Sequence, residues 1–522
     1  MSWQKEIEEL EKRKHLARTY GRRKDIAHPQ GLRKNNVRER IAALVDPGAF
    51  LERGGLSGLA SYDDTQGKEL QDVVPCPFIM GIGKINGRRV AVHADDFAVK
   101  GASVGRMYKA KRGYFAKMAR SLRLPIVRLV EGAGGSIREI LEFGYTELPS
   151  GNDEGTQHEV EALSEIPVAA AGFGAIAGLG ALFMVRSHFS VMVKKEAQVF
   201  VGGPPLVKAA TGETWSKEEL GGYRIHTRIS GVVDNEAEDE KDALLQIKKF
   251  LSYLPSSVWE MPEKEPHAAD FPGRREEALL SIIPRDPKHP YDMRRLLDLV
   301  LDRDSFFEIG RYQGQSQITA LARLNGYAVG VLANDPRFLG GAFNYDVAEK
   351  YMRFIDMCDT FHLPIVNFSD QPGFMIGRKS EEMGLIRKGV RAGFAMAQAT
   401  VPVAVLYLRK CFGVAGAAQK TALRFSWQYA WPSALWGNIP IEGGVYAAHR
   451  AEIESAKDPQ AYLDSLHEKY RAVASPFRTA EHFGIEDIID PRDTRPLLCD
   501  WVKMAYNVEK NHLGPKKRGL RC

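Results

Sequence analysis

The chain has few cysteines, and none are arranged in a way that could hold zinc. Five occur among 522 residues, at positions 76, 358, 411, 499 and 522, and no two of them form a C-x-x-C pair. A zinc ribbon is therefore excluded, and no metal site is expected. Scattered single cysteines are typical of a reducing compartment, so the predicted location is the cytoplasm.

Long apolar segments and a strong net charge are also lacking. Glycines and alanines interrupt the most apolar stretch, residues 166–184, and Arg186 follows it, so no membrane span is expected. The N-terminus has no apolar core of a signal peptide and predicts a charged helix over residues 4–25. A net charge of +6 favours anionic ligands but is too small for a nucleic-acid-binding surface.

What the sequence does contain is an internal repeat. Three short stretches recur with the same spacing along the chain, and three matches at a single spacing are hard to obtain by chance. We therefore predict two copies of one fold, whose shared site would have two related but unequal walls. The matching stretches are Asn86-Gly87 with Asn325-Gly326, Leu124–Val127 with Leu363–Val366, and Phe173-Gly174 with Phe412-Gly413.

A fourth, weaker match places the start of each copy. The stretch after Asp46 resembles the stretch after Asp302, but these two lie farther apart than the other pairs, so the second copy is shorter before Asn325. Seven prolines between positions 255 and 290 predict an extended linker, because proline lacks the N–H that helices and central strands need. The predicted domains are residues 1–255 and 290–522, with the linker at 256–289.

Each copy shows strands alternating with helices, which predicts an α/β fold with mostly parallel sheets. The clearest downstream helix is predicted over residues 381–399, with Ser380 as its N-cap. Predicted strands end in glycine-containing loops, and ligands bind at that edge of such sheets. The matched strands are predicted at 90–94 and 329–333, 125–130 and 364–368, and 167–171 and 402–408.

Four of these loops are rich in small residues and poor in ionisable ones. Small residues let a substrate approach the backbone closely, and loop N–H groups can hold a developing oxyanion. Since no side-chain base is evident, the loops favour enolate chemistry on a thioester. Packing or tight turns would also explain any single loop. The loops are residues 132–136, 174–180, 370–374 and 412–418.

Other interpretations of these segments are weaker. Residues 172–178 hold one residue too many for the G-x-G-x-x-G dinucleotide motif. Gly101–Gly105 fits the G-x-S-x-G elbow of serine hydrolases, but the second copy has Gly340–Asn344 there, which indicates a shared turn. His188 and His226 are better explained as structural histidines.

At this level of detail the chain resembles the carboxyltransferase β subunits of biotin-dependent acyl-CoA carboxylases. The resemblance covers about residues 25–505. Stretches that carry it include Leu363–Phe374, Gly202-Gly203-Pro204, Ala430–Ser433 and Ala474–Phe477. Propionyl-CoA and methylcrotonyl-CoA carboxylases are familiar members of this family.

The resemblance implies two tandem crotonase-like domains and a carboxyl transfer from carboxybiotin to an acyl-CoA thioester through an enolate. It implies a homohexamer core within an α6β6 holoenzyme, with active sites at dimer interfaces. A partner α subunit with biotin carboxylase and biotin carrier domains is also implied, because this chain has neither a biotinyl A-M-K-M motif nor an ATP-grasp signature. No nucleic-acid or membrane partner is expected.

The same resemblance assigns site residues. Backbone N–H groups of Gly178 and Leu179 would stabilise the enolate oxygen, and those of Val414 and Ala415 would hold the biotin ureido oxygen. The remaining assignments are Gly134, Gly135, Ser136, Gly174 and Ala417 for substrate binding, and Gly373, Phe374 and Gly413 for biotin binding.

Two departures from the family leave the acyl substrate open. The loop at 132–137 lacks the family's aspartate and arginine, and Ala417 stands where short-chain enzymes have a substrate-discriminating aspartate. We therefore expect an acyl group other than acetyl or propionyl. Three alternatives stay open: a biotin-dependent acyl-CoA decarboxylase subunit, a non-catalytic CoA-binding scaffold, and a crotonase-type hydratase or isomerase that would need a carboxylate such as Asp370.

Overall fold

The chain divides into two units, Met1–Ser252 and Tyr253–Cys522. The computed structural model describes residues 2–20, 36–63, 69–137, 140–141, 144–146, 148, 154–265, 270–421, 423–518 and 521. In this described part, no helix is both long enough and apolar enough to cross a lipid bilayer.

The first unit is built on an eight-stranded sheet in the order β1-β4-β5-β6-β7-β8-β10, with β9 added to β7. Strands β5 to β8 and β10 are parallel. The strands are β1 (Leu51–Arg53), β2 (Gly58–Tyr62), β3 (Leu70–Pro75), β4 (Phe78–Ile85), β5 (Arg88–Asp95), β6 (Ile126–Gly132), β7 (Val168–Ala177), β8 (Phe189–Val193), β9 (Gln198–Phe200) and β10 (Asn235–Ala237). The helices are α1 (Gln4–Thr19), α2 (Val37–Leu44), α3 (Arg106–Ser121), α4 (Glu154–Ala162), α5 (Leu179–Val185), α6 (Pro204–Thr211), α7 (Lys217–Gly221), α8 (Tyr223–Arg228) and α9 (Glu240–Ser252), with a 3-10 turn at Lys100–Ala102.

The second unit repeats this sheet in the order β11-β12-β13-β14-β15-β16-β18, with β17 added to β15. Its strands are β11 (Phe307–Glu308), β12 (Gln317–Leu324), β13 (Tyr327–Asn334), β14 (Ile365–Gln371), β15 (Val403–Phe412), β16 (Ser426–Ala430), β17 (Leu435–Gly437) and β18 (Asp487–Ile488). Its helices are α10 (Met293–Val300), α11 (Tyr345–Thr360), α12 (Arg378–Glu382), α13 (Leu385–Gln398), α14 (Gly413–Ala417), α15 (Ile441–Ala448), α16 (Arg450–Ser455), α17 (Pro459–Val473), α18 (Pro476–Glu481) and α19 (Thr494–Glu509), with 3-10 turns at Glu277–Leu280, Leu339–Gly341 and Pro491–Asp493. The predicted α/β class and the predicted duplication are both confirmed.

The same hairpin opens the sheet in both units. Asn86 and Gly87 adopt left-handed φ values of 50° and 81° between β4 and β5, and Asn325 and Gly326 adopt 51° and 81°. Asn-Gly suits such turns because both residues tolerate positive φ. In the first unit the Asp46 carboxylate accepts both turn N–H groups, at 2.9 and 2.8 Å.

Asp302 does the same in the second unit. It accepts the N–H groups of Asn325 and Gly326 at 3.0 and 2.7 Å. The aspartate match and the Asn-Gly match of the sequence repeat are therefore two halves of one carboxylate–turn contact. The additional residues of the first unit include the separate two-stranded sheet β2-β3, which falls between β1 and β4 in the sequence.

Three predicted boundaries differ from the structure. The N-terminal helix ends at Thr19, and residues 21–35 lie outside the described part. The helix predicted over 381–399 is two helices, α12 and α13, because Gly384 between them has a left-handed φ of 68°. Ser380 therefore lies inside α12, whose N-cap is Gly377.

The proline-rich segment also differs from the predicted linker. Its only helical turn among the described residues is Glu277–Leu280, but the unit boundary precedes it and the segment belongs to the second unit. Apolar side chains between the prolines account for this, since Leu279 joins the core of that unit and Met261 and Ile283 pack against it. Burying these side chains stabilises the segment against the sheet.

Asp302 also forms an ion pair with a buried arginine, whereas the described residues include no such partner for Asp46. We therefore expect unequal effects when the two aspartates are substituted. The Oδ1 atom of Asp302 lies 2.8 Å from Nη2 of the fully buried Arg495. We expect Asp302→Ala to lower the free energy of unfolding by about 3–5 kcal/mol, because the buried Arg495 guanidinium loses its 2.8 Å carboxylate partner and keeps only Asp270, at 3.6 Å. The partly exposed Asp46→Ala should cost only about 1–3 kcal/mol. Urea denaturation of both variants would test this, and equal losses would contradict it.

Candidate active site

In each unit, the third strand of the parallel series turns abruptly into a short helix. Strand β7 ends at Ala177 and α5 begins after Gly178, which has φ 59° and ψ −122°. Strand β15 ends at Phe412, and Gly413 there has φ 64°. A side chain at such angles is strained, so glycine is needed at both turns.

Strand pairing corrects one part of the predicted repeat. Gly132 of β6 lies opposite Ile176 of β7, whereas Gln371 of β14 lies opposite Cys411 of β15. The second parallel strands of the two units, β6 and β14, are separated by the same number of residues as the two Asn-Gly turns. The third strands, β7 and β15, are separated by four fewer residues, because the first unit has four more residues between its second and third strands. The match of Phe173-Gly174 with Phe412-Gly413 is therefore wrong. The structural counterpart of Gly413 is Gly178.

The corrected register aligns the predicted N–H donors. Leu179 and Val414 are equivalent, and each lies in the first turn of its helix, where backbone N–H groups have no intrahelical partner. The two predicted pairs share this position. The other member of the pair precedes this position in the first unit, at Gly178, and follows it in the second unit, at Ala415. Gly178 and Val414 are exposed, Leu179 is half-buried and Ala415 is buried.

A second loop lies beside the turn in the first unit. Gly134 is buried, and a Cβ atom on it would lie 3.0 Å from the Ala177 carbonyl oxygen and 3.6 Å from Cα of Gly178. Its carbonyl accepts the Val104 N–H at 2.8 Å, and this bond connects the loop to the segment between β5 and α3. Gly135 is exposed and Ser136 is half-buried. The structure thus brings the predicted loops at 132–136 and 174–180 together at one sheet edge.

The second unit repeats this arrangement. The Gly373 carbonyl accepts the Phe343 N–H at 3.0 Å. A Cβ atom on Gly373 would lie 3.7 Å from the Phe412 carbonyl oxygen. Phe374 packs edge-on against Phe343, with ring centroids 5.4 Å apart. Together with Gly413, these residues place the loops at 370–374 and 412–418 at the corresponding edge. Ala417 is exposed at the end of α14.

A small cavity lies behind the second turn. Its walls combine glycines and alanines with three aromatic side chains and three glutamines. Two of its glycines are on α13, and Gly389 is required there because a Cβ would lie 2.6 Å from the Phe374 ring. The lining residues are Gln317, Phe343, Tyr351, Gln371, Phe374, Gly389, Gly393, Ala415, Ala418 and Gln419.

Gly174 lies away from these loops. It is buried in β7, and a Cβ on it would lie 2.2 Å from Oε1 of Glu131. Glu131 in turn lies 2.7 Å from Arg40, which projects from α2. Gly174 therefore makes room for a buried ion pair, and this packing accounts for the glycine without a substrate contact.

The corresponding carboxylate of the second unit is Asp370. It has no exposed surface and accepts from Nε of Arg409 at 3.1 Å and from the Lys410 N–H at 3.1 Å. Arg409 occupies the place of Gly174, so the two units neutralise equivalent carboxylates from different elements. Sequence reasoning missed this role of Arg40 and Arg409, although the Arg409-Lys410 pair was visible.

The side chains that a hydratase or a hydrolase would use as base or nucleophile are engaged in structural contacts or buried. Asp370 is held by Arg409 and cannot act as the carboxylate of a hydratase. Nδ1 of His188 accepts the Val168 N–H at 3.0 Å, and Nε2 of His226 lies 2.8 Å from the Val199 carbonyl oxygen, so both histidines are structural. Burial raises the pKa of the Cys411 thiol to about 11, so it is not a nucleophile near neutral pH.

Comparisons with known proteins identify the family of this chain. The family described as "Carboxyl transferase domain" matches residues 27–520. The chain belongs to this carboxyltransferase family. The family and the enzyme class that the sequence resemblance implied are thereby confirmed.

Named relatives align over nearly the whole chain. The propionyl-CoA carboxylase carboxyltransferase subunit of Haloferax mediterranei is 34% identical over 522 residues, covering 99% of each chain. The methylmalonyl-CoA decarboxylase subunit alpha of Veillonella parvula is 32% identical and covers 95% of this chain and 94% of its own. The transcarboxylase 12S structure, with methylmalonyl-coenzyme A and methylmalonic acid bound, has a TM-score of 0.88 at 30% identity and covers 100% of this chain and 98% of its own.

Proline substitutions at the two equivalent donors would test whether the N–H groups act in carboxyl transfer. Proline fits the first turn of a helix but removes the N–H. We expect Leu179→Pro and Val414→Pro to lower kcat by about 10²–10³-fold, the loss typical of one oxyanion donor, with little change in KM. The measurement is steady-state carboxylation with thermal melting as a check on folding.

Alanine is the matched control at both positions. Leu179→Ala and Val414→Ala keep the N–H and change only the side chain, so they should retain most of the activity. Wild-type kcat in either proline variant would show that its N–H group does not contact the reacting atoms.

Proposed function

We propose that this chain is the carboxyltransferase component of a biotin-dependent acyl-CoA carboxylase. The first unit would hold the acyl-CoA thioester and the second unit the biotin of the carrier. The observation that carries the proposal is the pair of equivalent glycine turns, at Gly178 and Gly413, each followed by backbone donors. Duplicated donors suit a reaction in which two different oxygens take up negative charge.

The chain's own contribution would be to stabilise charge. Carboxybiotin on the partner would supply CO₂. The N–H groups of Gly178 and Leu179 would stabilise the thioester oxygen as the α-carbon gives its proton to the biotin that has released CO₂, and those of Val414 and Ala415 would stabilise the ureido oxygen. Each donor of this kind contributes about 2.7–4 kcal/mol to lowering a barrier. The small residues Gly134, Gly135 and Gly373 would let both ligands approach the backbone, with Ser136 and Phe374 alongside.

The direction of the reaction has a second candidate. The methylmalonyl-CoA decarboxylase relative is 32% identical, which is close to the 34% of the propionyl-CoA carboxylase relative. A decarboxylase would use the same donors in reverse with a different partner. We favour the carboxylase.

The assembly we propose follows from the same family. The transcarboxylase 12S structure is described as a hexamer assembly, and we propose a homohexamer core here too, with active sites at dimer interfaces. The proposed partner is an α subunit with biotin carboxylase and biotin carrier domains. The four described cysteines that are free and buried, Cys76, Cys358, Cys411 and Cys499, suit the proposed cytoplasmic location.

The acyl group we propose is larger than acetyl or propionyl. Ala417 offers a methyl group where the short-chain enzymes resembled by this chain have a carboxylate. Ile137, in the altered loop after Ser136, is 81% exposed and adds apolar surface at the edge of the first unit. Both features favour an apolar extension of the acyl chain.

Reconstitution would test the function. The purified chain is mixed with its biotin-carrying α subunit, ATP and labelled bicarbonate, and acid-stable label is measured with acetyl-, propionyl-, longer-chain and branched acyl-CoA substrates. We expect incorporation only with both subunits present, and highest kcat/KM with a longer or branched thioester. Release of CO₂ from malonyl-type thioesters without ATP-dependent carboxylation would establish the decarboxylase instead.

Ala417→Asp would test the assignment of the acyl substrate. A carboxylate at the end of α14 should disfavour apolar chains, because bringing one against the charge costs desolvation. We expect kcat/KM for the best longer-chain substrate to fall by about tenfold or more relative to propionyl-CoA. Ala417→Asn has the size of the aspartate variant without its charge and so separates the two effects. If the ratio of kcat/KM for the longer-chain substrate to that for propionyl-CoA is unchanged in both variants, Ala417 does not belong to the specificity site.

A further inference from the structure

The donor helix of the second unit is too short to hold its own shape. Helix α14 has five residues, Gly413–Ala417, and isolated helices of this length are unstable in water. The direction of the Val414 and Ala415 N–H groups must therefore be maintained by contacts from outside the helix. The structure contains such contacts in a buried chain of side-chain amides.

Gln419 makes the first contact of this chain. Its Nε2 atom donates at 2.7 Å to the Ala415 carbonyl oxygen, which also receives a longer 3.4 Å bond from the Ala418 N–H at the end of α14. Gln419 is 5% exposed. A strong bond from a buried donor holds the last turn of the helix in place.

Asn367 makes the second contact. It lies on β14, is 2% exposed, and donates from Nδ2 to Oε1 of Gln419 at 2.8 Å and to the Gln419 carbonyl oxygen at 3.0 Å. These bonds fix which end of the Gln419 amide faces Ala415. They connect the donor helix to the rigid centre of the sheet.

The first unit solves the same problem at the equivalent strand position. Arg128 on β6, which corresponds to Asn367 in the repeat, is fully buried and donates from Nη1 to the carbonyl oxygens of Phe183 and Arg186 at 3.2 and 2.7 Å. These carbonyls lie at the end of α5, the helix that carries Leu179. Charged donors to the last carbonyls also suit the negative end of a helix.

We propose that Asn367 and Gln419 are positioning residues that aim the backbone donors of α14, and that Arg128 is their counterpart for α5. This inference rests on the proposed function, which assigns α14 to the biotin side and α5 to the acyl-CoA side. These side chains act through the helix backbone. A donor displaced by about 1 Å can cost about 10² in rate.

The test uses the reconstituted holoenzyme and two half-reactions. Release of CO₂ from the carboxylated carrier without acyl-CoA reports on the second unit alone, whereas exchange of the thioester α-proton in D₂O, with biotin as the base, needs both units. We expect Gln419→Met and Asn367→Leu to slow CO₂ release by about 10–100-fold with KM for acyl-CoA unchanged. Arg128→Met should slow α-proton exchange and leave CO₂ release intact.

A pH profile of Gln419→Glu separates positioning from packing. An ionised carboxylate would repel the Ala415 carbonyl oxygen, whereas a protonated one can donate to it as the amide does. We expect activity of this variant to be lost as pH rises through the pKa of the new carboxyl, which burial should raise above its usual range. A packing defect would lower activity equally at all pH values.

Gln428→Met is the matched control, because Gln428 bonds to the Tyr407 hydroxyl on the neighbouring strands and not to α14. It should leave both half-reactions intact. If Val414→Pro abolishes CO₂ release but the Gln419 and Asn367 variants behave as this control does, the positioning role is wrong and the proposed function stands. If Val414→Pro has no effect, the assignment of the α14 donors within the proposed function fails, and the carboxylase activity is judged by the reconstitution alone.

Discussion

The site depends on one backbone constraint, the left-handed turn that ends the third parallel strand of each unit. Gly178 and Gly413 adopt φ values of 59° and 64°, which side-chain-bearing residues reach only with strain. The turn stops the strand, starts a helix within one residue, and leaves the first N–H groups of that helix without intrahelical partners. The neighbouring glycines follow from it, since Gly134 must allow the turn to approach within van der Waals distance.

Each unit also has a buried carboxylate at the end of its second strand, and here the two units differ. Glu131 is neutralised by Arg40 from a helix before the sheet, and Asp370 by Arg409 from the adjacent strand. Buried charges must be paired, but the partner can come from any element within reach. The copies thus share the geometry of this edge but differ in the side chains that line it.

Much of this was visible in the sequence. The Asn-Gly turns, the strands that follow them and the glycine loops are local features, and the structure has them where the patterns predicted. The third repeated stretch was misaligned by four residues, because Phe-Gly occurs in both units but at different depths in the strand. Gly174 looked like a loop glycine, and only its contact with Glu131 shows that it is a packing residue. Long-range partners such as Arg40 and Glu131, 91 positions apart, carry no local signal.

The carboxylate–turn contact has a consequence for the lifetime of the protein. Asn-Gly is chemically fragile because the glycine amide nitrogen can attack the asparagine side chain and release ammonia. In both hairpins that nitrogen is engaged by an aspartate, Gly87 by Asp46 at 2.8 Å and Gly326 by Asp302 at 2.7 Å. A carboxylate that accepts from this amide disfavours loss of its proton, and the nitrogen must lose that proton to attack. The bonds that set the register of each sheet therefore also protect its most labile dipeptide from deamidation.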